Sequence, residues 1–374
     1  MATFNIALTP GDGIGPEVLN EGVKALRAAE KAVGGFTLNM ENYDIGAACY
    51  KKCGKVFSEE AFKACEEADA IFFGCVGDPG VMYPDGTEVG VEAGLQMRFR
   101  FDLFANIRPI KLYPNVSSRL SGKTTGDIDY VIVRENIEGL YASRGGGSII
   151  HDKIAVDSMV ITRWETERIS KVAFELSQSR AGAPSDGRHR VTCVDKANIL
   201  RSYSFFRKVF TEVASNYPTV EPDYAYMDAM ACWLVLQPEF YDVVVTENMF
   251  GDILTDLGAA TVGGMGMSPS AEIGEDHGMF QGSHGSAPTI AGKNIANPTA
   301  TIISGAMMLE WLGRKTKDGN LIAAAKLINT SVFEVFKDKQ FTSDLGGTYS
   351  TSDFGDAVEK KILALVDHPT GEDE

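Results

Sequence analysis

Two aspartates in the segment VVVTENMFGDILTD are the clearest candidates for metal ligands. Asp252 and Asp256 are four residues apart, so in a helix both carboxylates lie on one face. No basic residue stands between them, and the two charges repel each other unless a cation lies there. Carboxylate oxygens are ligands that Mg²⁺ and Mn²⁺ prefer. The pattern predicts a divalent metal site, with a solvated acidic helix face as the alternative.

A third aspartate, Asp228, occupies a comparable place in the chain. It follows the strand-like segment YAYM and opens the apolar segment AMACWLV, which has the composition of a helix. Asp228 is therefore either a further metal ligand or the N-cap of that helix, because aspartate is a preferred N-cap residue.

Three arginines at the ends of apolar segments suggest a site for a di- or tricarboxylate. Arg98 lies in EAGLQMRFRF, Arg108 in ANIRPIK, and Arg134 directly follows YVIV. The planar guanidinium group binds a carboxylate through two parallel hydrogen bonds. The alternative for each arginine is an ordinary surface ion pair.

A lysine, Lys196, lies just beyond the strand-like segment RVTCV, within VDKANIL. A lysine at the end of a parallel strand serves as a general base when its surroundings favour the neutral amine. The alternative is a solvated surface lysine.

Two glycine-rich segments are candidates for nucleotide binding. Residues 282–298, GSHGSAPTIAGKNIANP, contain one histidine, His284, whose ring could stack on or hydrogen-bond to an adenine. A generic loop is the alternative for that composition. The earlier segment LTPGDGIGPEV has the spacing Gly11-x-Gly13-x-Gly15 and not G-x-G-x-x-G, so it indicates a tight turn at least as well as a phosphate-binding loop.

Elements of two kinds alternate along the chain and must position these side chains. Short apolar runs predict strands, and longer segments with helical periodicity lie between or after them. The predicted strands are 4–8, 70–74, 130–133, 190–194, 224–227 and 242–246. The predicted helices are 17–33, 59–68, 166–180, 202–213 and 321–336. This alternation predicts an α/β fold with largely parallel strands.

The composition restricts the classes of partner. The chain has 374 residues and a net charge of −16, which disfavours nucleic acid and anionic membranes as partners. No segment approaches the roughly 20 apolar residues of a membrane span, and the start MATFNIALTP lacks the features of a signal peptide. Cys49 and Cys53 have no second pair nearby to complete a metal site. We expect a cytoplasmic protein with reduced thiols.

Taken together, these segments resemble the β-decarboxylating dehydrogenases, the family of isocitrate, isopropylmalate, homoisocitrate and tartrate/D-malate dehydrogenases. The resemblance covers nearly the entire chain. It rests on PGDGIGPEV, RPIK, VRENIEGLY, DKANIL, TENMFGDILTD, IGEDHGMF, HGSAPTIAGKNIANPTA and SDLGG, which occur in the family's order.

The resemblance implies a two-lobed α/β subunit with the isopropylmalate/isocitrate dehydrogenase-like fold, which differs from the usual Rossmann fold. Residues 1–103 and 261–374 would form the large cofactor-binding lobe, and 104–260 the small lobe. An arm near 141–160 would pair with its counterpart in a homodimer that shares its active sites.

The same resemblance assigns roles to individual residues. Arg98, Arg108 and Arg134 match carboxylate-binding arginines, and Tyr141 matches the tyrosine that protonates the enol product. Lys196 matches the base, contributed across the dimer interface. Asp252 and Asp256 match metal ligands of one subunit, and Asp228 the ligand from the other. The residues that match the adenosine-binding loop are His284, Gly285, Ser286, Ala287, Pro288, Thr289, Ile290 and Asn297.

The implied reaction is the metal-dependent oxidation of a malate-type 2-hydroxy acid, followed by loss of its β-carboxylate. Mg²⁺ or Mn²⁺ would favour loss of the hydroxyl proton and hold the enolate charge, and a nicotinamide would accept the hydride. An isocitrate or homoisocitrate dehydrogenase is the alternative. A catalytically silent regulatory subunit is a more remote one, because such chains lose metal or base residues that are present here.

Two departures from the family pattern concern the cofactor. Relatives that use NAD carry an acid in HGSAPDIAG where this chain has Thr289, whereas Ile290 and SDLGG resemble the NAD-using group. We therefore favour NAD and leave NADP open. Relatives also often carry a glutamate three residues before the loop histidine, where this chain has Gln281.

A third departure concerns the substrate. Isopropylmalate enzymes have leucines four and three residues before the first arginine, and isocitrate enzymes have a serine and an asparagine six and four residues before it. This chain has Glu92, Gly94 and Leu95 at minus six, minus four and minus three. On a helix, Gly94 and Leu95 should border the substituent at C3 of the substrate, and Glu92 should lie at the pocket edge and repel a third carboxylate. We therefore expect a substrate like isopropylmalate, D-malate or tartrate.

Overall fold

The computed structural model describes residues 2–84, 86–144 and 146–367, which divide into two compact units. The first unit contains the chain up to Phe101, Tyr113–Ser117 and the chain from Met265 onward. The second contains Asp102–Leu112 and Ser118–Gly264. The units differ from the predicted lobes in three short segments. The second unit also includes 102–103 and 261–264, and the first unit also includes 113–117.

The strands alternate with helices in the order expected of an α/β protein. The strands are β1 Ala2–Gly11, β2 Phe36–Asn42, β3 Ala70–Cys75, β4 Ala105–Lys111, β5 Asp129–Glu135, β6 Ser148–Ile150, β7 Ile154–Val156, β8 Arg190–Asp195, β9 Glu221–Tyr226, β10 Val243–Thr246, β11 Pro269–Ile273 and β12 Gly278–Gly282. The helices are α1 Gly15–Val33, α2 Gly46–Cys53, α3 Glu59–Glu67, α4 Val91–Arg100, α5 Arg163–Ser179, α6 Arg201–Ala214, α7 Met227–Leu236, α8 Asn248–Thr261, α9 Thr299–Thr316, α10 Gly319–Lys337 and α11 Thr351–Asp367. None of these described helices is long and apolar enough to cross a membrane.

Strands of the first unit follow the order β2-β1-β3-β12-β11. The β1–β2, β1–β3 and β3–β12 pairs are parallel, and β11 runs antiparallel to β12. Strand β3 is buried along its whole length, as expected for a strand covered on both faces. Helices α1, α9, α10 and α11 pack against one another in this unit.

Strands of the second unit follow the order β4-β5-β10-β8-β9. The β5–β10, β10–β8 and β8–β9 pairs are parallel, and β4 runs antiparallel to β5. Parallel strands end at the same edge of a sheet, so the residues that follow β8, β9 and β10 are brought to one side. Lys196 follows β8, α7 follows β9, and α8 follows β10.

The short antiparallel pair β6–β7 lies within the predicted arm. All its residues are exposed, including Ile149, Ile154 and Val156. Gly145, in the same stretch, lies outside the described residues. An apolar hairpin that buries little within its own chain is a candidate protein contact.

Candidate active site

Helix α8 carries both predicted metal ligands on a partly exposed face. The Asp252 and Asp256 side chains are 40% and 62% exposed. An adjacent face of the helix lies against strand β5, where Gly251 makes room for Arg134: a Cβ at Gly251 would come 2.5 Å from Arg134 Cγ. The small residue therefore lets the arginine run along the helix toward the carboxylates.

The start of α8 is fixed by a buried carboxylate. Glu247 is the N-cap, and its side chain accepts hydrogen bonds from the backbone N–H groups of Met249 and Phe250 at 3.1 and 2.9 Å. Tyr203, on α6, donates its hydroxyl hydrogen to Glu247 Oε1 at 3.0 Å, and its ring stacks on that of Phe250 with centroids 4.8 Å apart. The helix that bears the two aspartates is thus anchored at its N-terminus.

Two of the predicted arginines lie side by side on the β4–β5 pair. The antiparallel register places Asn106 opposite Arg134 and Arg108 opposite Ile132. Directly opposed residues and residues two apart share a face of a sheet, so Asn106, Arg108 and Arg134 all lie on the same face. Arg108 and Arg134 are only 5% and 1% exposed, which makes them buried charges and not surface ones.

Both buried guanidinium groups are held by side chains of α8. Arg134 donates to Asn248 Oδ1 through Nε at 3.1 Å and Nη2 at 2.7 Å, and its Nη1 pairs with Asp252 Oδ1. Arg108 donates to Thr255 Oγ1 at 2.6 Å. Its guanidinium lies 3.9 Å from an oxygen of Asp252 and 4.0 Å from one of Asp256.

Tyr141 joins the same group from the short 3₁₀ turn Leu140–Ser143. Its hydroxyl donates to Asp252 Oδ2 at 3.0 Å, and Arg134 lies 5.7 Å from its ring centroid. Burial and the neighbouring Asp252 charge raise the pKa of the phenol, so Tyr141 keeps its proton. The turn that precedes it is held by the buried Glu135, which accepts hydrogen bonds from the backbone N–H groups of Ile137 and Glu138, both at 2.8 Å.

The cluster of Arg108, Arg134, Tyr141, Asp252 and Asp256 combines a cationic and an anionic half. Partial burial raises the pKa of Asp256; Arg108 opposes this shift and the charge of Asp252 adds to it. A cation at the aspartates would relieve the repulsion between them, and the arginines offer donors for a carboxylate. The arrangement can therefore bind an anion and a cation next to each other.

The structure pairs Lys196 with Asp228. Lys196 Nζ lies 2.5 Å from Asp228 Oδ1, and this hydrogen bond lowers the pKa of the carboxyl group. The N-cap of α7 is Tyr226 and Asp228 lies in the first turn, so the N-cap interpretation of Asp228 is wrong.

A single chain does not bring the three predicted metal ligands together. Among residues 2–84, 86–144 and 146–367, no group of three or more His, Cys, Asp or Glu side chains is arranged to hold a metal ion. Asp252 and Asp256 share a face of α8, whereas Asp228 belongs to α7 and to its pair with Lys196.

The third predicted arginine, Arg98, lies on α4 in the first unit. Its Nε and Nη2 donate to the two carboxylate oxygens of Glu272, both at 2.7 Å. Glu272, on β11, is fully buried and also accepts a hydrogen bond from Gln281 Nε2 at 2.8 Å. Position 281, where this chain departs from the family pattern, thus contacts the partner of Arg98.

The segment predicted to border the C3 substituent is helical, as expected. Glu92, Gly94 and Leu95 all lie on α4 and are partly buried. Glu92 Oε1 accepts a hydrogen bond from Gln96 at 3.0 Å. A Cβ at Gly94 would meet no atom of the described residues within 4 Å, so there is open space beside this glycine.

The predicted adenosine-binding loop packs on the glycine-rich turn near the N-terminus. The backbone N–H of Ile14 donates to the carbonyl oxygen of Ser286 at 2.8 Å, and a Cβ at Gly13 would lie 1.9 Å from that oxygen. Glu17, on α1, accepts hydrogen bonds from the backbone N–H groups of Gly292 and Asn294. The turn at 11–15 is therefore a tight turn that carries the loop.

Within this loop, some predicted residues point inward and others outward. Ala287 and Ile290 pack on a core cluster that includes Val18, whereas Gly285, Pro288 and Thr289 are exposed. These three exposed residues are accessible to a ligand.

Two polar residues at the ends of the loop behave differently. Burial lowers the pKa of His284, and its buried Nε2 finds no hydrogen-bond partner in the described part of the chain. Asn297 Nδ2 donates to Asp344 at 3.1 Å, and its Oδ1 accepts from the Thr299 backbone at 3.0 Å at the start of α9. Asn297 therefore links SDLGG to the end of the loop.

Comparison with known proteins shows the family of the chain. The family model described as isocitrate/isopropylmalate dehydrogenase matches residues 5–358. The chain belongs to this family. A 3-isopropylmalate/3-methylmalate dehydrogenase of Methanocaldococcus jannaschii is 39% identical over 96% of this chain and 98% of its own length. A decarboxylating D-malate dehydrogenase of Escherichia coli is 40% identical over 97% of this chain and 99% of its own length.

The fold agrees with the family as well. The crystal structure of isocitrate dehydrogenase from Methylococcus capsulatus superposes with a TM-score of 0.82 at 34% identity, covering 96% of this chain and 99% of that one. The chain therefore has the α/β fold of the isocitrate/isopropylmalate dehydrogenase family, and it is an oxidoreductase by membership.

Sequence reasoning missed the side chains that hold the predicted arginines in place. Asn248 and Thr255 bind Arg134 and Arg108, and they lie four residues before and three residues after Asp252. That helical spacing is a local signal that could have identified them. Glu272 gave no local signal, because 174 residues separate it from Arg98.

Proposed function

We propose that this chain is a metal-dependent dehydrogenase that oxidises a malate-type 2-hydroxy acid with NAD and releases its β-carboxylate as CO₂. The observation that carries the proposal is the buried pair Arg108 and Arg134 beside Asp252 and Tyr141. Relatives about 40% identical are named as 3-isopropylmalate and D-malate dehydrogenases, which supports a malate-type substrate. We propose that Arg98 binds a substrate carboxylate as well.

Asp252 and Asp256 are proposed to hold Mg²⁺ or Mn²⁺, with Asp228 supplied by a second copy of the chain. The donor set fits a hard divalent cation, because carboxylate oxygens at helix spacing repel without one. Because one chain would supply only two of the three carboxylates, a second copy would be needed to complete the site. When bound, the cation would favour loss of the substrate's hydroxyl proton and stabilise the charge left after decarboxylation.

Lys196 and Tyr141 are proposed to move the protons. Lys196 would accept the proton of the substrate's hydroxyl group, and a bound nicotinamide would supply the hydride acceptor. After the β-carboxylate leaves, Tyr141 would donate its phenolic proton to C3. The hydroxyl group of Tyr141 lies 3.0 Å from Asp252 Oδ2, which supports this role because its proton lies beside the proposed metal ligand.

The nicotinamide cofactor is proposed to bind at His284–Ile290, with Asn297 holding the end of that loop. Thr289 is exposed and neutral, so it presents neither the acid typical of NAD-using relatives nor a lysine for a 2′-phosphate. We favour NAD because Ile290 and SDLGG resemble the NAD-using group.

A homodimer with shared active sites is proposed from the apolar surface of the second unit. Ile149, Ile154, Trp233, Leu236 and Ile253 are between 42% and 76% exposed. They lie on the β6–β7 hairpin, α7 and α8, the same helices that bear the candidate metal ligands. Exposed apolar area of this extent marks a protein contact, and a second copy would supply Lys196 and Asp228 at the same time.

The deciding assay is NAD reduction, followed by absorbance, across D-malate, tartrate, isopropylmalate, isocitrate and homoisocitrate. We expect activity with a dicarboxylate that requires Mg²⁺ or Mn²⁺ and disappears with a chelator. A preference for isocitrate or homoisocitrate over every dicarboxylate would favour the alternative substrate class. No turnover with any of the five would favour the silent subunit.

A further inference from the structure

A buried triad of Arg98, Glu272 and Gln281 links helix α4 to strands β11 and β12. The carboxylate of Glu272 accepts two parallel hydrogen bonds from Arg98 at 2.7 Å and a third from Gln281 Nε2 at 2.8 Å. Glu272 is fully buried, and only 14% of the Arg98 side chain is exposed. Two parallel bonds fix both the position and the plane of a guanidinium group.

The two strands hold Glu272 and Gln281 on one face at a fixed separation. The antiparallel register places Gln281 opposite Ser270, two residues before Glu272. Ser304 of α9 ties both strands together: its Oγ accepts from the Ser270 backbone at 3.1 Å and donates to the Gln281 carbonyl at 2.6 Å. The strand backbones that carry the two side chains are therefore held at a fixed separation.

The charges of the triad allow only one carboxylate. Arg98 contributes one positive charge, Glu272 one negative charge and Gln281 none, so the formal charges of these three side chains sum to zero. A second carboxylate at position 281 would face Glu272 at about hydrogen-bond distance, and two carboxylates this close cannot both ionise without a large penalty. Removing the carboxylate at 272 would take away the bidentate acceptor of a mostly buried guanidinium group.

We propose that Glu272 is the positioning residue of Arg98 and that Gln281 must be uncharged for Glu272 to hold that position. The proposal rests on the proposed function, in which Arg98 binds a substrate carboxylate. Glu272 itself touches no substrate; it presents the guanidinium in one orientation, so its loss weakens substrate binding more than turnover.

The kinetic test compares Glu272→Gln with the matched control Glu275→Gln, which removes the same charge from an exposed position three residues along. With the best hydroxy acid of the panel, we expect the substrate KM of Glu272→Gln to rise about 10-fold while kcat and the KM for NAD change less than about 2-fold. The control should resemble the unmodified protein. An unchanged substrate KM, or an equal fall in kcat, would overturn the positioning role.

A second test needs no turnover and uses thermal unfolding of the ligand-free protein. Glu272→Gln and Gln281→Glu should each lower Tm, and the double variant, which moves the carboxylate from 272 to 281, should recover at least half of the summed loss. Additive losses of Tm would show that positions 272 and 281 are independent, and would overturn the requirement that Gln281 be uncharged. If no hydroxy acid is oxidised at all, the proposed function fails, whereas this cycle still decides whether Glu272 and Gln281 are coupled.

Discussion

Replacing each aspartate of α8 by asparagine should separate metal binding from structural support. Asp252→Asn and Asp256→Asn both remove one carboxylate from the proposed metal site at nearly constant volume. We expect each to lower kcat/KM at low Mg²⁺ by about 100-fold or more, because the charge that holds the cation is reduced. A large excess of Mn²⁺ should restore part of this loss.

The two variants should differ in stability, because their contacts differ. Asp252 pairs with Arg134, which is 1% exposed, and accepts a hydrogen bond from Tyr141. A hydrogen bond to a charged group is worth about 1.5–3 kcal/mol. With Asp252 40% exposed, we discount this value to about 1–2 kcal/mol. Asp256 is 62% exposed and lies 4.0 Å from Arg108, so its loss should change stability by no more than about 0.5 kcal/mol.

Scanning calorimetry and a metal titration of activity test both parts of this prediction. Tm should fall by about 1–3 °C for Asp252→Asn and by less than about 1 °C for Asp256→Asn. Near-normal turnover of both variants at low Mg²⁺ would refute the metal assignment. Equal Tm losses would refute the reasoning from the Arg134 contact.

Four further predictions follow from other contacts. Lys196→Met should lower kcat by at least about 100-fold while the metal requirement persists; a change in KM alone would make Lys196 a binding residue. Burial raises the pKa of Glu135 to about 8, whereas the same carboxyl group in the unfolded chain loses its proton near 4.5. The contribution of this group to the free energy of unfolding therefore falls as pH rises between those two values. The Tm of Glu135→Gln relative to the unmodified protein should therefore increase between about pH 5 and pH 8; a constant difference contradicts the shift. Glu92→Ser combined with Gly94→Asn should raise the kcat/KM for isocitrate relative to D-malate by roughly 5- to 150-fold, and an unchanged ratio would show that this segment does not select the substrate. Ile154→Glu places a charge on the apolar hairpin and should shift the protein to monomers in sedimentation, with loss of activity; an intact, active dimer contradicts the shared site.

Much of the α/β framework could be predicted from the sequence, because the hydrophobic periodicity of a strand or helix is carried by consecutive residues. The run AIFFG indicated β3, and the periodicity of 17–33 indicated α1, which begins two residues earlier at Gly15. Helix α9 was missed, since most of its residues are buried and it lacks the polar stripe that marks an amphipathic helix. Strand β4 was missed because Pro109 interrupts its pattern, although its antiparallel pairing with β5 tolerates the proline.

The residues of the candidate site could be predicted from the sequence, whereas the contacts between them could not. The aspartate spacing on α8 and the arginine positions follow from short motifs. The surroundings of those arginines are set by strand register and by chain segments far apart: the β4–β5 register places Asn106 opposite Arg134, and Glu272 meets Arg98 across 174 residues. No local pattern encodes such pairs.

The anchoring of the 284–297 loop to α1 has a consequence for ligand affinity. Fixing the backbone of a mobile residue costs about 1–2 kcal/mol, and here the bonds from Ile14 to Ser286 and from Gly292 and Asn294 to Glu17 meet that cost when the chain folds. A nucleotide would then meet a preformed surface and lose little affinity to ordering. Residues of the first helix that never touch a nucleotide would in this way set its dissociation constant.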